Sequence, residues 1–327
     1  MTDARPGIGR VTAAIVAVAA MLPYLTLKLF WLAGHYVGVG DPALMGDPAM
    51  IGLNAMTFGM NAVGLLPALA FTMRWGMRLP AWLVLLPLWV GSGLLSVVVV
   101  SAPVVLAASG LEALSGGPIE PWVYAMVYGG FVGQGVGLLA AFVLYARDRW
   151  PAVFTTRLSL AFPSPSAPLQ RVIAWGAFPV AVALGLIMLV GVIGADPYLA
   201  VQDLLRGALA IAAAFALVEL VRRRGDGPFW RPLALLWLGS AVLFSWGLYA
   251  MVLSAAGGPV SAGEGGLERF VALFGMLTGL VMGMCGAFLL TERSAARSGV
   301  HDVEALQQPL EGDDRERDRR TADQGHR

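Results

Sequence analysis

Long apolar runs alternate with short polar ones along the whole chain. The runs at 12–33, 51–73, 81–107, 123–146, 172–194, 204–221, 233–254 and 268–290 each approach or exceed the roughly 20 helical residues that cross a hydrocarbon core of about 30 Å. Inside such a core every backbone polar group must be satisfied within its own segment, so the runs predict helices. The pattern predicts an all-α, polytopic transmembrane bundle of eight spans.

The polar segments between the runs are of two kinds. Gly34 to Met50, Gly110 to Pro121, Ala195 to Gln202 and Ala255 to Leu267 hold Asp41, Asp47, Glu112, Glu120, Asp196 and Glu264, with no lysine or arginine. The alternate segments collect Arg74, Arg78, Arg147, Arg149, Arg157, Arg171, Arg222, Arg223, Arg224 and Arg231, and Arg5, Arg10, Arg293 and Arg297 flank the first and last spans. Only Arg206 and Arg269 approach the acidic side. Cytoplasmic flanks carry the positive excess, so both termini are predicted to be cytoplasmic. Arg5 and Arg10 ahead of Val11 to Ala20 imitate a cleaved signal peptide. The apolar run continues through Leu22, Leu25, Phe30 and Trp31, which predicts a retained helix.

Composition narrows the class further. With 57% hydrophobic and 13% charged residues and a mean hydropathy of +0.72, the chain has no room for a soluble catalytic domain. The net charge of +1 argues against a nucleic-acid partner, and the single cysteine, Cys285, excludes an internal disulfide. Trp31 and Trp122 fall at outer span ends, and Trp75, Trp82, Trp150, Trp175 and Trp230 at inner ones, where amphipathic rings prefer to sit. Trp89, Trp237 and Trp246 lie deeper and read as packing residues.

Laying the chain on itself with a shift of about 148 residues brings the last four runs onto the first four. Gly129/Gly275, Gly133/Gly279, Gly137/Gly283, Ala141/Ala287, Phe142/Phe288, Leu144/Leu290 and Arg147/Arg293 coincide, and Trp89-Val90-Gly91-Ser92 falls on Trp237-Leu238-Gly239-Ser240. Gly59/Gly207, Ala68/Ala216 and Arg74/Arg222 add a third pair of spans. An even number of spans per unit predicts a parallel repeat about an axis near the membrane normal. The expected organisation is a first four-helix unit (1–146), a linker (147–171), a second unit (172–293) and a disordered, mixed-charge tail (294–327). Within the linker, Trp150 to Phe162 reads either as a surface helix or as an extended connection.

Gly129, Gly133, Gly137 and Gly275, Gly279, Gly283 stand four apart. Each set forms one nearly straight groove for close helix packing, and the two grooved helices are expected to face each other at the repeat axis.

Candidate chemistry lies in polar residues inside the runs. Lys28, the only lysine, sits about five residues from the outer end of its helix, where it either snorkels to the headgroups or joins a ligand pocket. Asn54, Thr57 and Asn61 share one face of the second span, and Gln134 lies near the middle of the fourth; each reads as interhelical hydrogen bonding or as a hydrated lining with Lys28. Asp203 and Arg206 have the spacing to pair locally, and Glu219 to pair with Arg222 or Arg223. Pro23, Pro67, Pro87 and Pro179 are expected to kink their helices.

No catalytic set, cofactor motif or metal cluster is expected. The histidines, His35, His301 and His326, are scattered. Met276, Met282, Met284 and Cys285 suggest a copper(I) site only weakly beside their reading as core packing.

The first span, Leu22-Pro23-Tyr24-Leu25-Thr26-Leu27-Lys28-Leu29-Phe30-Trp31-Leu32-Ala33-Gly34, resembles the opening helix of uncharacterised multi-pass membrane proteins of high-GC bacteria, in which Pro-Tyr, Lys and Trp-x-x-Gly recur. The resemblance covers about the first 40 residues and implies a bacterial cytoplasmic membrane protein. It implies no activity and no site.

Two functions are expected from this reading. One is a transporter or permease for a small solute or lipid, with Lys28, Asn54, Asn61 and Gln134 as its binding residues. The other is a non-catalytic scaffold that meets a membrane partner, or a second copy of itself, through the glycine grooves or the cytoplasmic tail.

Overall fold

The computed structural model describes residues 7–110, 117–159, 166–223, 226–256 and 265–292. Eight helices in it are long and apolar enough to cross a bilayer. They are α1 (Ile8–Leu32), α3 (Pro48–Thr72), α4 (Ala81–Ser109), α5 (Pro121–Arg149), α7 (Ala167–Gly191), α8 (Pro197–Arg222), α9 (Trp230–Ala256) and α10 (Gly266–Glu292). Two short helices, α2 (Pro42–Met45) and α6 (Pro151–Thr155), sit in loops. No strand is formed among the described residues, and the chain is an integral, multi-pass membrane protein.

Two of the spans, α3 and α8, begin ahead of their apolar stretches at polar caps. Asp47 accepts from the Ala49 N–H at 2.7 Å with Pro48 opening α3, and Asp196 accepts from the Tyr198 N–H at 2.9 Å with Pro197 opening α8. The second cap starts α8 seven residues ahead of its apolar run. Pro23, Pro67, Pro87, Pro103 and Pro179 are all accommodated inside continuous helices.

Hydrogen bonds between loops sort the helix ends into two faces. On one, Arg10 bonds Asp148 at 2.9 Å, the Tyr145 hydroxyl donates to the Gly76 carbonyl at 2.8 Å, and Arg149 donates to the Leu79 carbonyl at 2.5 Å. There, too, Leu158 and Phe229 exchange backbone bonds with Gly227 and Thr156, and Arg223 pairs with Glu292 at 3.4 Å. On the other face Gly40 bonds the Pro118 carbonyl and Glu120 bonds the Gly38 carbonyl. Gly38, at φ +71°, is required there: a Cβ would meet Val123 at 2.3 Å. Arg10, Arg78, Arg147, Arg149, Arg157, Arg171, Arg222, Arg223 and Arg231 belong to the first face, while Arg5, Arg224, Arg293 and Arg297 lie outside the described residues. Both ends of the described chain reach this arginine-rich face.

Two cores fill the bundle. One is built from α1, α3, α4 and α5 around Met21, Phe71, Leu88 and Tyr145; the other from α7 to α10 around Ala181, Leu217, Leu243 and Met282. Half of the apolar window of α8 is buried, against 11% for α3, so α8 is central and α3 peripheral. The linker contributes Leu158, 1% exposed, to the second core through the short helix α6 and the Thr156–Leu158 segment; residues 160–165 of the linker and the tail from 293 lie outside the description.

The cores meet where α4 packs on α9. Gly93 makes this approach possible, since a Cβ there would lie 2.2 Å from the Ala241 carbonyl oxygen. Trp89 donates to the Ser240 hydroxyl at 3.1 Å and Trp237 donates to the Ser92 hydroxyl, also at 3.1 Å. Each serine in turn donates to the carbonyl of the tryptophan in its own helix, Ser92 to Trp89 and Ser240 to Trp237.

The glycine grooves do not face one another. Gly133 and Gly137 receive α1, with hypothetical Cβ atoms 3.0 Å from Ala20 Cβ and 2.8 Å from the Ala13 carbonyl. Gly279 receives α9 at Ser240 and Phe244, Gly283 receives the Trp89 ring, and Gly275 lies under Leu243. Only Gly129 has open space above it. Apart from Gly129, these glycines are met by neighbours within the chain.

Candidate functional site

Lys28 is 8% exposed and turned into the bundle. Its Nζ donates to Asn54 Oδ1 at 2.5 Å and lies 4.7 Å from the Trp31 ring centroid and 5.3 Å from that of Tyr24. Asn54 Nδ2 reaches the Met45 sulfur of α2 at 3.6 Å, so the short helix closes this box from the arginine-poor face. Trp31 is fixed in turn by donating to the Val37 carbonyl at 2.9 Å. Asn61, two turns along α3, is buried with Oδ1 unpartnered among the described residues. Gln134 is buried beside Gly64, one turn further on, 3.5 Å from where a Cβ would stand. Thr57 bonds its own backbone at Leu53. The structure therefore joins Lys28 to Asn54 and sets Asn61 and Gln134 along the same α1–α3–α5 interface.

A cleft lies elsewhere. A space of about 630 Å³ opens at the arginine-poor face between the ends of α4, α5 and α8. Its apolar wall includes Pro103, Val105, Leu106 and Val132, and its aromatic side is Tyr124, Tyr128 and Tyr198. Gly129 forms part of the floor, which explains the open space above it. Tyr124 and Tyr128 stack with centroids 6.4 Å apart, and Tyr128 meets Tyr198 edge to face at 5.8 Å. Asp196, exposed at the rim, is the carboxylate of the described lining. None of Lys28, Asn54, Asn61 and Gln134 lines this cleft.

Two turns deeper on α8, Arg206 pairs with Asp203 at 2.5 Å and lies 4.8 Å from the Trp246 ring centroid. The i, i+3 spacing forms the pair expected for it. The other expected pairing is replaced: Arg223 reaches Glu292, and Arg222 lies over the Trp175 ring at 5.0 Å. The sulfur-rich stretch of α10 diverges, with Met282 and Cys285 in the core and Met284 52% exposed. No group of three or more His, Cys, Asp and Glu side chains able to hold a metal occurs among the described residues.

The tyrosines were the missed signal. Tyr124 and Tyr128 stand one turn apart at the end of a span and Tyr198 follows the opening proline of another. In a membrane sequence that placement reads as an interfacial belt. Only the convergence of two spans far apart in sequence turns it into the wall of a cleft.

No family model, no curated protein and no solved structure matches the chain.

Proposed function

We propose that this chain is a transporter- or permease-like protein of a bacterial cytoplasmic membrane, taking a small solute or lipid into the cleft between α4, α5 and α8. The observation that carries the proposal is the cleft itself: about 630 Å³, inside the range of small-molecule sites, and lined by apolar surface with a few converging hydroxyls. With the arginine-rich face inside, the cleft opens outward and both termini are cytoplasmic. Lys28, Asn54, Asn61 and Gln134 then brace the α1–α3–α5 wall behind the site. The reciprocal Trp–Ser bonds support the reading of 1–146 and 172–293 as two copies of one unit, because exchange of identical contacts is the mark of a two-fold relation.

Gly129→Leu tests the site by filling its floor, where nothing now stands. Native mass spectrometry of the purified chain should show a bound small molecule or lipid that the variant loses, and proteoliposomes should take that molecule up. Retention of the same molecule by both proteins, or no bound molecule in either, would place function outside the cleft.

A further inference from the structure

Resting on the reading of the cleft as a ligand site, we infer that its ligand is a free lipophilic organic cation: a quaternary ammonium or phosphonium centre carried on an apolar body. Tyr124, Tyr128 and Tyr198 are half-buried and converge at centroid separations of 5.8 to 6.4 Å. Ring faces attract a weakly hydrated cation within about 6 Å, and quaternary centres are the ligands such aromatic groups favour. Beside the rings stands the Asp196 carboxylate, and no arginine, lysine or histidine is among the described lining residues. The loops of this face add Asp41, Asp47 and Glu120, so its potential draws cations in and repels anions. Pro103, Val105, Leu106 and Val132 supply the apolar wall that the body of such a ligand requires.

One feature of the cleft points the other way. The N-terminus of α8 opens at its rim, and a bare helix N-terminus favours an anion. Here Asp196 already occupies it, accepting from the Tyr198 N–H. The end that would hold an anion carries a carboxylate instead.

Tetraphenylphosphonium and tetraphenylborate have nearly the same shape and opposite charge. Equilibrium dialysis against the full chain in a non-ionic detergent should give phosphonium binding at least about tenfold tighter than borate. Asp196→Asn keeps an oxygen for the helix cap while removing the charge. It should weaken phosphonium binding about tenfold, and Tyr128→Leu should do the same through loss of a ring face. Equal affinity for the two ions, or phosphonium binding untouched by both variants, would overturn the cationic ligand while leaving the cleft as a site for neutral molecules. Displacement of the phosphonium by phosphatidylcholine at comparable concentration would replace the free cation with a lipid headgroup. If neither ion nor neutral triphenylphosphine oxide binds, and Gly129→Leu changes nothing, the cleft reading fails together with this one.

Discussion

The Lys28 ammonium lies 2.5 Å from the side-chain oxygen of Asn54, on a neighbouring helix and largely sealed from the surroundings. No carboxylate among the described residues pairs with it. Its charge is balanced by an amide dipole and two ring faces. Such an arrangement holds α1 to α3 and depends on the acceptor more than on the charge.

Asn54→Leu should therefore destabilise the protein more than Lys28→Met. The first strands a buried ammonium, which costs on the order of 3–5 kcal/mol, whereas the second removes the charge, keeps most of the volume and leaves only a neutral amide oxygen without its donor, at about 1–3 kcal/mol. Chemical denaturation in micelles measures both. The reverse order would assign Lys28 a role that stability does not explain.

The glycines of α5 should separate by position. Gly137→Ala would set a Cβ 2.8 Å from α1 backbone atoms and should cost about 1–3 kcal/mol, while Gly129→Ala meets nothing and should be neutral. Thermal unfolding followed by circular dichroism distinguishes them, and equal effects would contradict the packing of α5 on α1.

Trp89→Phe and Ser240→Ala each break one interhelical hydrogen bond, worth about 1 kcal/mol. Because they break the same bond, the double variant should lose less than the sum, with a coupling near that value. Trp237→Phe and Ser92→Ala should give a matching cycle. Additivity in either cycle would show that the contact contributes nothing of its own.

What could be read from the chain was what local physics controls. Apolar run length places all eight helices, and the depth of Trp89 and Trp237 within their runs marks them as packing residues. Helix starts were misjudged where a cap and a proline extend a helix past its apolar run, as Asp196 and Pro197 do for α8. Which helices touch depends on side-chain fit between distant segments. Hence the grooves of α5 and α10 are expected at a shared axis, whereas Gly133 and Gly137 receive α1, Gly279 receives α9 and Gly283 receives the Trp89 ring of α4. The cleft stayed hidden for the same reason: Tyr128 and Tyr198 look unremarkable until α5 and α8 are adjacent.

Sidedness has a direct readout. In a Cys285→Ala background, cysteines at Arg78 or Asp226 should react with a membrane-impermeant maleimide only after permeabilisation, and cysteines at Asp41 or Asp196 without it. All four positions are exposed. Labelling in the opposite sense would invert the protein and turn the cleft toward the cytoplasm.

The Trp-x-Gly-Ser sequences of α4 and α9 each give a hydrogen bond from the tryptophan and take one at the serine. A motif of that kind is self-complementary and can pair with any second copy of itself. Carrying both copies on one polypeptide makes their encounter intramolecular, so pairing no longer depends on how many molecules share the bilayer.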